Sequence, residues 1–141
     1  DLPDELRARF DVAFNHTTLE HIFEVNRAFS NICAMSRDIV IVVVPFAQVK
    51  HETDSFKDYW RFTPTCMREL FSRNGMEVIY EAESCHRHAA IYLIYVASRR
   101  AEYWREQIPV FPAVTVAGKW IGYRWSSRLY AGLRRRLQRM R

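Results

Sequence analysis

Histidine and acidic side chains gather in two stretches of this chain. His16, Glu20 and His21 fall within NHTTLEH. His51 and Asp54 stand in KHETD, a few residues ahead of Tyr59-Trp60-Arg61. Imidazole is the side chain suited to accept a proton from a hydroxyl near neutral pH, so His21 and His51 are the candidate catalytic bases. For His21 the competing assignment is a hydrogen-bonded structural histidine. Tyr59 and Trp60 offer ring faces for a sugar or planar ligand, and Arg61 offers a fork for a carboxylate or phosphate. With Asp54 they form the candidate substrate-binding set. The bland alternative has Trp60 and Phe62 anchoring their loop while Arg61 pairs with Asp54 or Asp58. No H-E-x-x-H and no cysteine pair of metal-site spacing occurs. His86-x-His88 falls in a polar turn where solvated side chains are expected. No metal site is predicted.

The elements around these residues follow from periodicity. Phe10, Val12 and Phe14 alternate as in a strand that ends at Asn15-His16. Thr17-Thr18-Leu19-Glu20 then has the form of a helix capping box, which accounts for Glu20. The helix it opens is predicted over about 18–35, with Ile22, Val25, Phe29, Ile32 and Cys33 on one stripe. Ligands of open α/β sheets sit at the carboxyl ends of such strands. Asn15 and His16 are therefore placed at the mouth of a site, with Leu19 either wedged beneath a ligand or buried in the core. Ile39 to Val44 is a β-branched run with no polar face, expected to be covered on both sides as in a parallel sheet. Residues 46–62 form a long connection of the kind used for lids and binding loops. Thr63-Pro64 caps a helix that Asn74-Gly75 stops. Strands are expected over 76–82 and 90–97, paired antiparallel across a polar turn, and a helical turn over 101–107.

Composition is that of a globular domain, 49% apolar and 26% charged. The net charge of +5 is unevenly placed. Residues 119–141 hold eight of the 21 Lys and Arg and no acid, leaving 13 bases against 16 acids in the body. An acidic body argues against nucleic acid as a partner. The tail reads as a basic amphipathic helix, which could pack its apolar stripe on the body or lie on an anionic membrane surface. Cys33, Cys66 and Cys85 form no C-x-x-C pair and are expected as reduced, buried thiols, fitting a cytoplasmic location that becomes membrane-peripheral if the tail binds lipid. The first of only four glycines is Gly75, so no Gly-rich phosphate loop precedes it.

Three stretches carry a family resemblance. FDVAFNHTTLEH, RDIVIVVVPF and DYWRFTPTCMRELFSRNGMEVIYEA resemble the fourth strand, the fifth strand, and the helix with sixth strand of class I S-adenosylmethionine-dependent methyltransferases. The likeness covers roughly residues 10–98. The DYWRFTP wording is similar to branches found with bacterial surface-glycan genes. The resemblance implies an α/β, Rossmann-like methyltransferase sheet, C-terminal half only: two parallel strands, a helix and an antiparallel strand pair. It implies a partial domain over 1–98 and an extension over 99–141 with the basic helix. S-adenosylmethionine is the implied cofactor, touched by Asn15, His16 and Leu19 at its methionine end. The acceptor is expected to be a small molecule or glycan with an oxygen or nitrogen nucleophile. The family's Gly-rich loop and ribose-binding acid would lie before Asp1. The chain is therefore expected to need a missing N-terminal half or partner chain, and to be inactive alone. The alternative is a non-catalytic interaction or membrane-peripheral module derived from a truncated methyltransferase.

Overall fold

The computed structural model describes residues 2–86 and 89–108. The expected basic helix from Lys119, nearly all of the apolar stretch 108–118 that Pro109 and Pro112 interrupt, and His88 lie outside the described residues. In chain order the elements are β1 (Phe10–His16), α1 (Val25–Met35), β2 (Ser36–Pro45), α2 (Pro64–Arg73), β3 (Glu77–His86), β4 (Ala89–Ser98) and α3 (Ala101–Gln107), with short 3-10 turns at Asp4–Leu6 and Leu19–His21. The four strands lie in the order β1-β2-β4-β3. β1 and β2 are parallel, with Asn15 opposite Val42 and His16 opposite Val43. β4 runs antiparallel to both β2 and β3. The parallel first pair and the antiparallel last pair are as the sequence predicts. β4, the more apolar member of its pair, takes the interior position, and β3 with its glutamates takes the edge.

α1 and α2 cover one face of the sheet. Phe29 and Cys33 of α1 and Met67, Leu70 and Phe71 of α2 are buried against Val40, Val42, Val44, Leu93, Tyr95 and Ala97. Phe29 and Phe71 meet edge to face at 4.9 Å between ring centroids. α2 starts as its sequence requires: the Thr63 hydroxyl accepts from Cys66 N–H at 3.2 Å, with Pro64 at the first helical position. It stops at Gly75, whose φ of +66° suits a residue without Cβ. α3 is locked to the sheet through Asp38 at the start of β2. That carboxylate accepts from Ser98 Oγ, from Arg100 Nε and Nη2, and from Trp104 Nε1.

Several expectations are corrected. The helix after β1 begins at Val25, not near Thr18. Thr17 turns into the left-handed region at φ 46°, and the Thr18 hydroxyl donates back to the His16 carbonyl instead of capping a helix. The capping box does not form, and Leu19–His21 is an isolated 3-10 turn without a side-chain cap. The β-branched run is not sealed on both sides. Burial alternates over its first part, with Val40 and Val42 buried and Ile39 and Ile41 half-exposed, because among the described residues both larger helices lie on one face, whereas Val43 and Val44 at its end are both buried. β1 is an exposed edge and not a buried strand: Ala13 is its buried residue, while Val12 is 50% and Phe14 64% exposed. β3 continues to His86, through part of the expected polar turn. Cys66 is exposed, unlike Cys33. Among the described residues no helix is long and apolar enough to cross a membrane.

Candidate active site

Two connections leave the carboxyl ends of the parallel strands, 17–24 after β1 and 46–63 after β2. The tertiary structure folds them against each other. Backbone N–H groups of Tyr59 and Trp60 both donate to the Glu20 carbonyl, at 2.8 and 3.3 Å. Trp60 Nε1 donates to the Ile22 carbonyl at 3.0 Å, and the neighbouring Phe62 is buried. These ties bring the two candidate bases together, with His21 and His51 ring centroids 5.1 Å apart and edge to face. Phe56 closes on His21 at 4.7 Å.

Each histidine is oriented by its surroundings. His21 Nδ1 lies 2.6 Å from the Lys57 carbonyl. A carbonyl can only accept, so Nδ1 carries the hydrogen and Nε2 keeps the lone pair of the neutral ring. His51 Nδ1 faces the Val49 carbonyl at 3.3 Å and the Asp58 carboxylate at 3.5 Å. Asp58 is almost wholly buried. It accepts from both Arg61 Nη1 and Nη2 and from the His51 backbone N–H at 2.9 Å. The Arg61 guanidinium, outweighing burial, and then the His51 N–H hold its carboxyl down at about 2.

Glu20 is the anomaly of the site. It is 0% exposed, and neither carboxylate oxygen has a hydrogen-bond partner. Its nearest opposite group is His21 Nε2, 3.8 Å from Oε1. Burial pushes its pKa up, against its own backbone N–H and the charges of His21, His51 and Arg61.

The remaining candidates are distributed as follows. Asn15 is half-buried at the end of β1, its Oδ1 buried without a hydrogen-bond partner. His16 is exposed, its Nδ1 2.8 Å from Thr17 Oγ1, with its ring near Phe14 and Tyr92. Leu19 is completely buried in the core and presents no surface to a ligand. Arg61 spends its guanidinium on Asp58 and on the Gln48, Val49 and Trp60 carbonyls. Tyr59 and Trp60 are exposed and form an aromatic rim with Phe23, at 5.4 and 6.1 Å between centroids. Asp54 is exposed, and no hydrogen bond or ion pair ties it to the two histidines. An open groove beside Arg68, Gly75 and Tyr103 lies toward the other end of the sheet, where Ser98 pairs with Ile39, and holds none of these residues. Sequence reasoning missed Glu20, assigned to a cap, and Asp58, considered only as a partner for Arg61. The signals present were the Glu-His dipeptide after a strand end and the three-residue spacing of Asp58 and Arg61.

No protein-family model and no curated protein matches the chain. Solved structures do. An S-adenosylmethionine-dependent methyltransferase from Mesorhizobium loti is similar at TM-score 0.51 and 12% identity, over 70% of this chain and 64% of that one. The 1,6-didemethyltoxoflavin-N1-methyltransferase of Burkholderia thailandensis, crystallised with 1,6-didemethyltoxoflavin and S-adenosylhomocysteine, is similar at 0.49 and 19%, over 65% and 44%. The magnesium protoporphyrin IX methyltransferase of Synechocystis PCC 6803, with bound S-adenosylmethionine, is similar at 0.48 and 16%, over 63% and 38%. The chain thus spans between 38% and 64% of the length of these structures. By its strand order and its likeness to the Mesorhizobium structure, the chain has the α/β fold of a class I methyltransferase in part, as expected for the C-terminal half of that domain.

Proposed function

We propose that this chain forms the acceptor side of an S-adenosylmethionine-dependent methyltransferase that moves a methyl group to an oxygen or nitrogen nucleophile on a surface glycan or its precursor. The observation that carries the reading is the meeting of His21 and His51 beyond the carboxyl ends of β1 and β2, beside an aromatic rim. The fold likeness to the Mesorhizobium methyltransferase supports it.

The chain's own residues fit the reacting end of such a cofactor. Asn15 Oδ1 is a buried acceptor without a partner at the end of β1, suited to the cofactor's amino group. When bound, the cofactor supplies a methyl group on a positively charged sulfur. His21 Nε2, whose lone pair is freed by the Nδ1–H to Lys57 carbonyl contact, takes the proton of an acceptor hydroxyl. His51, steadied by Asp58, is the second group able to hold that proton. Tyr59, Trp60 and Phe23 present ring faces to a sugar.

Titration of S-adenosylhomocysteine into the 15N-labelled chain tests the cofactor side. Saturable shifts should appear at the amides of residues 13–18, and Asn15→Leu should weaken them about tenfold or more, on the order of one lost hydrogen bond to a charged group. Saturable shifts confined to other parts of the sheet would overturn the reading, and tight binding by this chain alone would contradict the expected need for a second half. The exposed Phe10, Val12 and Phe14 on the edge strand favour a second reading, a protein-interaction module. The tail's eight basic residues support a membrane-peripheral role for it. Co-sedimentation with anionic vesicles that persists after deletion of 119–141 would contradict that role.

A further inference from the structure

We infer that Glu20, His21 and His51 form a binding site for a first-row divalent transition metal ion, with Asp58 positioning His51. Ligand atoms from these three side chains all lie within 4.8 Å of one another. They come from two separate connections, with His21 and His51 thirty positions apart, so no motif of fixed spacing announces them. A tetrahedral ion with bonds of about 2.0–2.1 Å holds its ligand atoms about 3.3 Å apart, a closure that side-chain rotation can supply.

Glu20 supplies the observation that points to a ligand. A carboxylate at zero exposure with both oxygens unpartnered carries a desolvation cost that proteins do not normally leave unmet. Either a proton or a cation must answer it, and His21 Nε2 at 3.8 Å is too far for a hydrogen bond. The imidazoles are set as metal ligands require. His21 donates from Nδ1 to the Lys57 carbonyl, and His51 turns its Nδ1 toward the Val49 carbonyl and Asp58, leaving an Nε2 lone pair on each ring. A carboxylate or carbonyl behind a ligating histidine is the usual outer arrangement, because it fixes the tautomer and raises ligand basicity. Arg61 is the neighbouring cation, and its charge is met by Asp58, so the site's uncompensated charge is that of Glu20.

Two imidazoles and one carboxylate suit zinc, manganese, iron(II) or cobalt(II), and match magnesium and calcium poorly. Three protein ligands would leave at least one coordination position for solvent or an acceptor group. Metal binding itself stands on this geometry alone. In the metal-bound chain the ion would take over from the free His21 in lowering the proton affinity of an acceptor hydroxyl, a role that rests on the methyl-transfer reading.

Equilibrium dialysis of the metal-stripped full chain against micromolar zinc, with cobalt(II) absorption as a second readout, tests the site without any assay of methyl transfer. The expected result is one equivalent bound, and visible cobalt bands that His51→Ala abolishes. Glu20→Gln and His21→Ala should each weaken binding at least tenfold, and Asp58→Asn about 10–100-fold. His86→Ala should change nothing, which separates this site from chelation at His86-x-His88. Circular dichroism confirms that each variant is folded, and His51, 38% exposed, is the change least able to disturb packing. Substoichiometric binding by the wild-type chain, or binding that survives Glu20→Gln and His51→Ala together, overturns the inference. Stoichiometric zinc together with S-adenosylhomocysteine shifts confined to parts of the sheet away from residues 13–18 would uphold it while the methyl-transfer reading fails.

Discussion

At Asp38, burial favours the protonated acid, yet hydrogen bonds from Arg100, Ser98 and Trp104 and the Arg100 charge win and hold its pKa at about 2, below the ordinary 3.8. Because the folded-state pKa is depressed, the stabilisation is complete above the unfolded value and is lost as pH falls through the folded one. Urea unfolding followed by tryptophan fluorescence should therefore show stability falling between pH 4 and pH 2. Asp38→Asn should shrink that limb, which Asp58 shares, and cost about 1–3 kcal/mol at neutral pH, since it leaves the Ser98, Arg100 and Trp104 donors badly matched. An acid limb unchanged in the variant would place its origin elsewhere. Glu20 is the opposite kind of residue, a buried carboxylate whose desolvation outweighs its own backbone N–H and the charges nearby. In metal-free buffer Glu20→Gln should leave stability unchanged or raise it by about 1 kcal/mol. A clear loss would mean that the carboxylate is structural.

Among the elements, α2 is the one whose local signals all agree with its structure. Thr63 caps it, Pro64 opens it, and Gly75 ends it in the left-handed region. Thr63→Ala should cost about 1 kcal/mol through the lost N-cap. Gly75→Ala should cost about 1 kcal/mol or somewhat more. A Cβ there would meet Arg99 Nη1 at an ordinary 3.6 Å, so the penalty comes from φ and not from a clash. Thermal melts of both variants check these values, and a neutral Gly75→Ala would show that the backbone can relax. The turn after β1 is the counterexample. Its S/T-x-x-E pattern is a real local preference, but Thr17 N–H continues the ladder by donating to the Val43 carbonyl at 2.9 Å. That bond delays the helix, and Glu20 is carried inward under the second loop.

At the scale of the whole molecule, the outer edge of β1, which pairs with no strand among the described residues, and the stripe Phe10, Val12, Phe14 are the features a partner could cover. Native sheets protect such edges with charge or bulk, and this one offers apolar side chains. The chain should associate with itself as its concentration rises. Phe14→Lys should weaken association about tenfold or more, given that burying a Phe contributes about 1.5–3 kcal/mol. Sedimentation velocity across a concentration series checks this, and an unchanged distribution would show that the stripe is not the contact.

The sequence alone determined what depends on near neighbours. Strand and helix periods, the Thr63 cap, the Gly75 stop and the parallel and antiparallel pairings were all legible, because each is set by residues a few positions apart or by the length of a connection. The candidate bases His21 and His51 were legible as types, and so were the exposed Tyr59 and Trp60. What the tertiary structure decided is which of these residues meet. The residues between His21 and His51 carry no signal of their contact, which is made by main-chain bonds from Tyr59 and Trp60 to the Glu20 carbonyl. It also decided burial. The same β-branched run could be sealed on both faces or on one, and helix placement leaves Ile39 and Ile41 half-exposed while Val40 and Val42 are enclosed. The state of Glu20 belongs to that second kind of fact. A carboxylate reads as a cap or a surface charge from its neighbours in sequence, and only the packing of a distant loop leaves it buried and unpartnered.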